Sequence, residues 1–274
     1  MKLKWICRLV LLLMPLSVFA QIDTIRSLTE LKLSDASDTI LAVFDIDDTV
    51  TILKEPAFHR PNFKVHHAKI FANMMSSLTK EEQIVAFTLP LLTSPGVLLE
   101  DETPQVIQML QGGGVKTIAL TAALAGKIHN SFIEDRRISE LDRVGITFSS
   151  SFPDMQETEF CTFPTPIFGR YPLFKDGIIF TNENDKGKVL VEFLRAIPWK
   201  PRLIVFVDDR LEHLHAVEKA LGESFADIQF HGYHFQTDPA CYSAVEESEF
   251  SHIWQEHVRL AKEALSPCET TGLS

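Results

Sequence analysis

The sequence predicts an α/β fold, a parallel sheet with helices on both faces, and two observations carry that prediction. Apolar runs of strand length recur at residues 40–44, 116–120, 145–148, 203–207 and 227–231, with helix-length amphipathic stretches between most of them. The first run then ends abruptly in Asp45-Ile46-Asp47-Asp48-Thr49. Open α/β sheets place their ligands beyond the carboxyl ends of their strands, so acid at that point marks a site and not only a turn.

The chain starts with Lys2, Lys4 and Arg8, then the apolar stretch 9–16, then Ser17-Val18-Phe19-Ala20. This is the pattern of a secretory signal peptide over residues 1–20, with cleavage expected after Ala20. Its apolar core is short for a bilayer span, and Cys7 precedes that core, which disfavours a lipoprotein anchor. No stable membrane anchor is expected after cleavage, and the destination is periplasmic or extracellular. Losing three basic residues takes the formal charge from −11 to −14, which excludes nucleic acid as a natural partner. Cys161, Cys241 and Cys268 remain, an odd number without metal-site spacing. A bridge between Cys241 and Cys268 would tie down the C-terminal segment, but spacing alone does not fix the pairing.

Residues 21–274 read as one domain with two insertions. The first, about 52–101, separates the first two strands by more than a direct crossover needs, and helical character at 66–78 makes it a mainly helical cap. Thr103-Pro104 caps a helix over 104–110. Gly112-Gly113-Gly114 precedes a strand, so it ends that helix and does not form a phosphate loop. Residues 126–143 read as the next helix. The second insertion, about 150–182, is rich in proline and aromatics and holds a hairpin at 174–180 around Asp176-Gly177. Helices follow at 188–195 and 249–265.

Polar groups collect where the strands end. Asp45 and Asp47 follow the first strand, Thr121 the second, and Asp208 and Asp209 the fourth, while Lys186 precedes the helix before that strand. Parallel strands align their carboxyl ends, so these residues can converge. Carboxylates, a hydroxyl and a lysine are the parts of a phosphoryl-transfer site.

These residues, as Asp45-Ile46-Asp47-Asp48-Thr49, Leu120-Thr121, Lys186-Gly187 and Val207-Asp208-Asp209, resemble the four ordered motifs of the haloacid-dehalogenase (HAD) superfamily. The resemblance covers most of the mature chain. It is greatest to little-characterised secreted bacterial HAD-like proteins in which an Asn-Gly or Asp-Gly hairpin leads to Lys-Gly, and weaker to secreted class B acid phosphatases. It implies a Rossmann-like HAD fold and a phosphatase acting on a small phosphorylated substrate. Asp45 would attack phosphorus, and Asp47 would protonate the leaving oxygen and then activate water. Thr121 and Lys186 would bind the phosphoryl group. Mg2+ would be held by Asp45, the backbone carbonyl of Asp47, and Asp208, with Asp209 ligating through water or orienting the others. Lys188 is the runner-up for the site lysine, and Asp48 has a supporting role.

Other signals carry less. An EF-hand loop needs a central glycine that the 45–50 segment lacks. His213 and His215 lie two apart on a helix and point apart, so they do not chelate together, and His66 and His67 also diverge. His59-Arg60 could reach substrate from the flap, although an exposed basic pair is the simpler reading, and Arg210 reads as a local partner of its neighbours. Arg170, Tyr171 and Lys175 could face a phosphoester at a substrate entrance, but a packed surface loop is the favoured reading. Secretion and the two insertions also fit a second class, a non-catalytic interaction protein on the same scaffold with a protein partner, since fold does not fix function. A phosphotransferase is a third reading.

Overall fold

The computed structural model describes residues 21–33, 37–128, 131–164 and 168–265. Its regular elements begin with β1 (Gln21–Ile25), β2 (Ile40–Phe44), β3 (Thr51–Leu53), α1 (Ala68–Met75), α2 (Lys80–Thr93), β4 (Gly96–Leu98), α3 (Thr103–Gly112) and β5 (Lys116–Thr121). Next come β6 (Lys127–Ile128), β7 (Ser131–Phe132), α4 (Ile133–Arg143), β8 (Thr158–Glu159), β9 (Leu173–Lys175) and β10 (Ile178–Phe180). The last are α5 (Lys186–Ala196), β11 (Leu203–Asp208), α6 (Leu211–Ser224), β12 (Gln229–Phe235) and α7 (Glu247–Leu265).

The central sheet runs β1-β12-β11-β2-β5-β10-β9-β8, parallel from β1 through β10, with β9 and β8 added antiparallel. All five residues of β2 are buried. Ile40, Ala42 and Phe44 pack with Val106 and Ile107 of α3 and Leu141 of α4, whereas Leu41 and Val43 pack with Val189 and Phe193 of α5 and Leu214 of α6. A strand that alternates between two helical layers has no polar face, and for that reason it reads as a continuous apolar run. The chain leaves β2 for β5 on one side and reaches β11 on the other, so the crevice at the carboxyl end of β2 is a topological switch point.

Residues 52–101 hold β3, a wide π-type turn at Asn62–His66, α1, α2 and β4, with β3 and β4 paired antiparallel at the root. Helix α7 packs on this segment: Phe250 and Trp254 share a cluster with Phe58, Phe71 and Leu89, and the Trp254 indole donates to the Ala57 carbonyl at 2.9 Å. The predicted helix at 66–78 becomes that turn followed by α1. The sequence reading overlooked α2, because Val85, Ala86, Thr88, Leu89, Pro90 and Leu91 are all buried and leave no apolar stripe.

The strand expected at 145–148 is absent, and this expectation is corrected. Ile146 and Phe148 are buried in irregular backbone, and the edge of β5 is taken by β10, which pairs Ile178 with Ala119 and Phe180 with Thr121. The hairpin at 174–180 forms with Asp176 at φ 48° and Gly177 at φ 82°, a turn that needs two left-handed residues. It therefore joins the central sheet. The helix expected over 126–143 starts only at Ile133, after β6 and β7. The last strand runs Gln229–Phe235 where 227–231 was expected, and β1 was not foreseen.

The predicted signal peptide at 1–20 and Cys268 lie outside the described residues. Among the described residues, Cys161 and Cys241 are free and exposed. No helix among them is long and apolar enough to cross a membrane.

Candidate functional site

The turn after β2 is closed mainly on one acceptor, with the Asp48 N–H donating to the Thr51 carbonyl at 2.8 Å. Thr49, Val50 and Thr51 all donate their backbone N–H to the Ile46 carbonyl, and Asp48 takes φ 61° to make the bend. Asp45 is tied to the neighbouring strand by its N–H on the Val207 carbonyl at 2.9 Å. These constraints fix Asp45 at the crevice and turn Asp47 outward, its side chain 41% exposed.

Lys186 lies at the start of α5, 2% exposed, and its Nζ stands 2.6 Å from Asp45 Oδ1 and 2.7 Å from Asp208 Oδ2. The Asp185 carboxylate caps this helix by accepting from the Lys188 N–H at 2.9 Å, while Lys188 itself is exposed. Lys186 is thus the lysine at the strand ends. Asp45, Asp208 and Asp209 each present a carboxylate oxygen within 4.8 Å of the others. Thr121 is fully buried and its hydroxyl lies 3.4 Å from Asp47 Oδ2.

Three further residues belong to this group, and the sequence reading missed or set aside all of them. Arg60 is not an exposed surface pair with His59: His59 is buried against the Leu53 carbonyl, and Arg60 reaches Asp48 at 2.9 Å and also binds Asp209. Arg137 of α4 is 1% exposed and contacts Asp47 Oδ1 at 2.6 Å and Glu140 at 2.5 Å. Arg137 shares the buried face of α4 with Glu134, Glu140, Ile133 and Leu141. His213 approaches both Asp208 oxygens at 3.1 Å. His215 pairs with Glu218 elsewhere on α6, as the zinc argument required. Arg210 pairs locally with Glu212, and Arg170 and Lys175 are engaged with Glu134, Glu157, Glu159 and Asp135.

The charges do not balance within the site. Lys186 serves Asp45 and Asp208, Arg60 serves Asp48 and Asp209, and Arg137 serves Asp47 and Glu140, so each cation is shared by two carboxylates. The titration behaviour follows. Burial, and then the Asp208 charge, hold the Asp45 carboxyl well above the usual range against the pull of Lys186. Burial pushes Asp209 up to about 7, with Arg60 opposing it. Asp208 goes the other way: burial raises it, but the Lys186 charge and the His213 hydrogen bond prevail and hold it low. Burial works against the Lys186 charge, and Asp208 and Asp45 keep it protonated.

One buried atom bears on which cation the residues fit. Asp209 Oδ1 has no hydrogen-bond partner, although the carboxylate is nearly closed off from solvent. An unpaired carboxylate oxygen beside two more carboxylates, with oxygen the only donor type, fits a hard divalent cation such as Mg2+.

A cavity of about 720 Å³ opens above Asp47, Asp48 and Asp209, and the segment between β3 and β4 supplies its far wall.

Known proteins similar to this chain add kinship but no activity. An uncharacterised protein of Rickettsia prowazekii (strain Madrid E) is 26% identical over 177 residues, covering 62% of this chain and 58% of the relative. An uncharacterised protein of Rickettsia felis (strain ATCC VR-1525 / URRWXCal2) is 23% identical over 194 residues, covering 66% of this chain and 65% of that protein. The chain thus spans less than two thirds of the length of these curated relatives. Among solved structures, the HAD domain of effector protein Lem4 from Legionella pneumophila, an inactive mutant, aligns over 82% of this chain and 96% of that chain with 10% identity and a TM-score of 0.37. A likeness of that size bears on neither activity nor substrate. Residues 20–252 match the family described as "Protein of unknown function (DUF2608)", and the chain belongs to that family.

Proposed function

We propose that the protein is a secreted, Mg2+-dependent phosphohydrolase of a small phosphomonoester, working through an aspartyl-phosphate intermediate. The observation that carries this reading is the Asp45–Lys186–Asp208 bridge beside the orphaned Asp209 oxygen. Asp45 attacks phosphorus, forming an oxygen–phosphorus bond as the bond to the leaving oxygen breaks, and Asp47 gives that oxygen a proton. Asp47, exposed to the cavity, then takes a proton from water as the water oxygen attacks phosphorus, and the bond to Asp45 breaks to release phosphate. Lys186 and Thr121 bind the phosphoryl oxygens, so that an anionic nucleophile meets an anionic substrate with positive charge between them. Asp45, Asp208, Asp209 and the Asp47 carbonyl would hold the cation. It would supply charge neutralisation and polarise a phosphoryl oxygen.

The purified mature protein should hydrolyse an aryl phosphate with magnesium and lose that activity by at least about 10³-fold in Asp45→Asn, the scale expected when a nucleophile is removed. Equal turnover by the two proteins would sink the mechanism.

A further inference from the structure

The wall of the cavity facing Asp47 is apolar, and its composition bears on what the phosphate is attached to. Phe58, Phe63, Phe87, Leu91, Leu124 and Trp254 line it. Phe87 is 44% exposed, although its ring meets Phe71 at 5.5 Å and Phe63 and Trp254 at 6.0 Å. A large apolar side chain braced by three aromatic rings and left open to a cavity calls for an apolar occupant.

Several polar groups around the same cavity are already used, whereas Lys64, 6.0 Å from the Phe63 ring centroid, and Glu183 line it without an ion pair among the described residues. The Thr88 hydroxyl donates to the Ile84 carbonyl at 2.9 Å, Arg210 is paired with Glu212, and a His234 ring nitrogen contacts the Asp209 carbonyl at 3.1 Å. A sugar or polyol on the leaving side would set most of its hydroxyls against aromatic rings, with Lys64 and Glu183 the uncommitted partners, and unmatched buried hydroxyls cost more than lost contacts. The charged floor serves the phosphoryl group, and the far wall serves something greasy.

We propose that this cavity selects phosphomonoesters of apolar alcohols, with the hydrocarbon of the leaving group lying against Phe63 and Phe87. This rests on the phosphohydrolase reading for the position of the phosphate, but binding tests it separately from turnover. Non-hydrolysable n-alkylphosphonates from ethyl to octyl, titrated calorimetrically into the magnesium-loaded protein, should bind roughly two- to fourfold tighter per added methylene until the wall is covered. In Phe87→Ala the ratio of octyl to ethyl affinity should shrink by about fivefold or more, and Phe87→Leu should restore most of it. An affinity series that is flat with chain length, or a glycerol phosphonate that binds tighter than the butyl compound, overturns the proposal whether or not the protein hydrolyses anything. A rising series in a protein that turns over no phosphomonoester retains the apolar site and rejects the hydrolase reading instead.

Discussion

Arg137 is a guanidinium with almost no access to water, kept charged by Asp47 and Glu140 against the cost of burial. Glu140 also accepts the backbone N–H of Gly96 at the root of the cap, so the acid–base candidate is anchored through Arg137 and Glu140 to β4. If Arg137 positions Asp47 for proton donation, its loss should hurt in proportion to how much the leaving oxygen needs a proton. Arg137→Met should lower kcat/KM for phenyl phosphate by about 10²-fold and for dinitrophenyl phosphate, whose phenolate leaves unaided, by far less. Equal losses on both substrates would mean general distortion of the site. The acids, Thr121 and Lys186 were legible in the sequence because each stands at the end of an apolar run or the start of a helix. Arg60 and Arg137 were not, because they reach the crevice from the turn after β3 and from a charged helix. A lone arginine in either place looks the same whether it faces solvent or a carboxylate.

Placement of Lys186 is a matter of how closely two helices approach. Gly187 is buried where α5 meets α6, and a Cβ there would stand 2.7 Å from the Ala216 carbonyl carbon and 2.8 Å from the Ala220 Cβ. Glycine lets α5 lie against the backbone of α6, which brings the Lys186 amine to the strand ends and accounts physically for the Lys-Gly pair. Gly187→Ala should therefore cost about 1–3 kcal/mol of stability through overpacking, and should lower kcat by tenfold or more because small displacements at reacting groups are expensive. Gly222, on α6 with nothing within 4 Å of a Cβ, is the control. There the same substitution should be neutral or stabilise by about 0.5–1 kcal/mol, read from paired thermal melts. If both variants behave alike, close helix contact is not what holds the lysine. At this scale, buried elements were legible where both faces are apolar, as in β2 and β11. The error at 145–148 arose because Ile146 and Phe148 show the alternation of a strand, while the backbone hydrogen bonds of β5 on that side go to β10 and to the Gly177 carbonyl. Periodicity reports burial, and it does not say which segment wins the sheet edge.

The crowded carboxylates couple the chemistry of the site to the stability of the whole chain. Asp209 holds its proton up to about pH 7 in the folded protein against an ordinary value of 3.8. Between those values the folded state binds more protons than the unfolded one, so stability falls as pH rises through the window and levels off above it. Asp45, also raised, acts in the same direction, whereas Asp208, held low, contributes stability above the ordinary carboxylate value that is lost only in stronger acid. Melts of the metal-free protein should therefore show Tm decreasing relative to Asp209→Asn by roughly 5 °C between about pH 5 and pH 8. A bound divalent cation stabilises the folded state by mass action, and at low pH it competes with protons for the same oxygens. Magnesium should accordingly raise Tm more at pH 8 than at pH 5, and removing it with a chelator should reverse the gain. A magnesium shift that is equal at the two pH values, together with a wild-type minus Asp209→Asn difference that stays flat across them, would mean that these carboxylates neither share protons nor hold the ion.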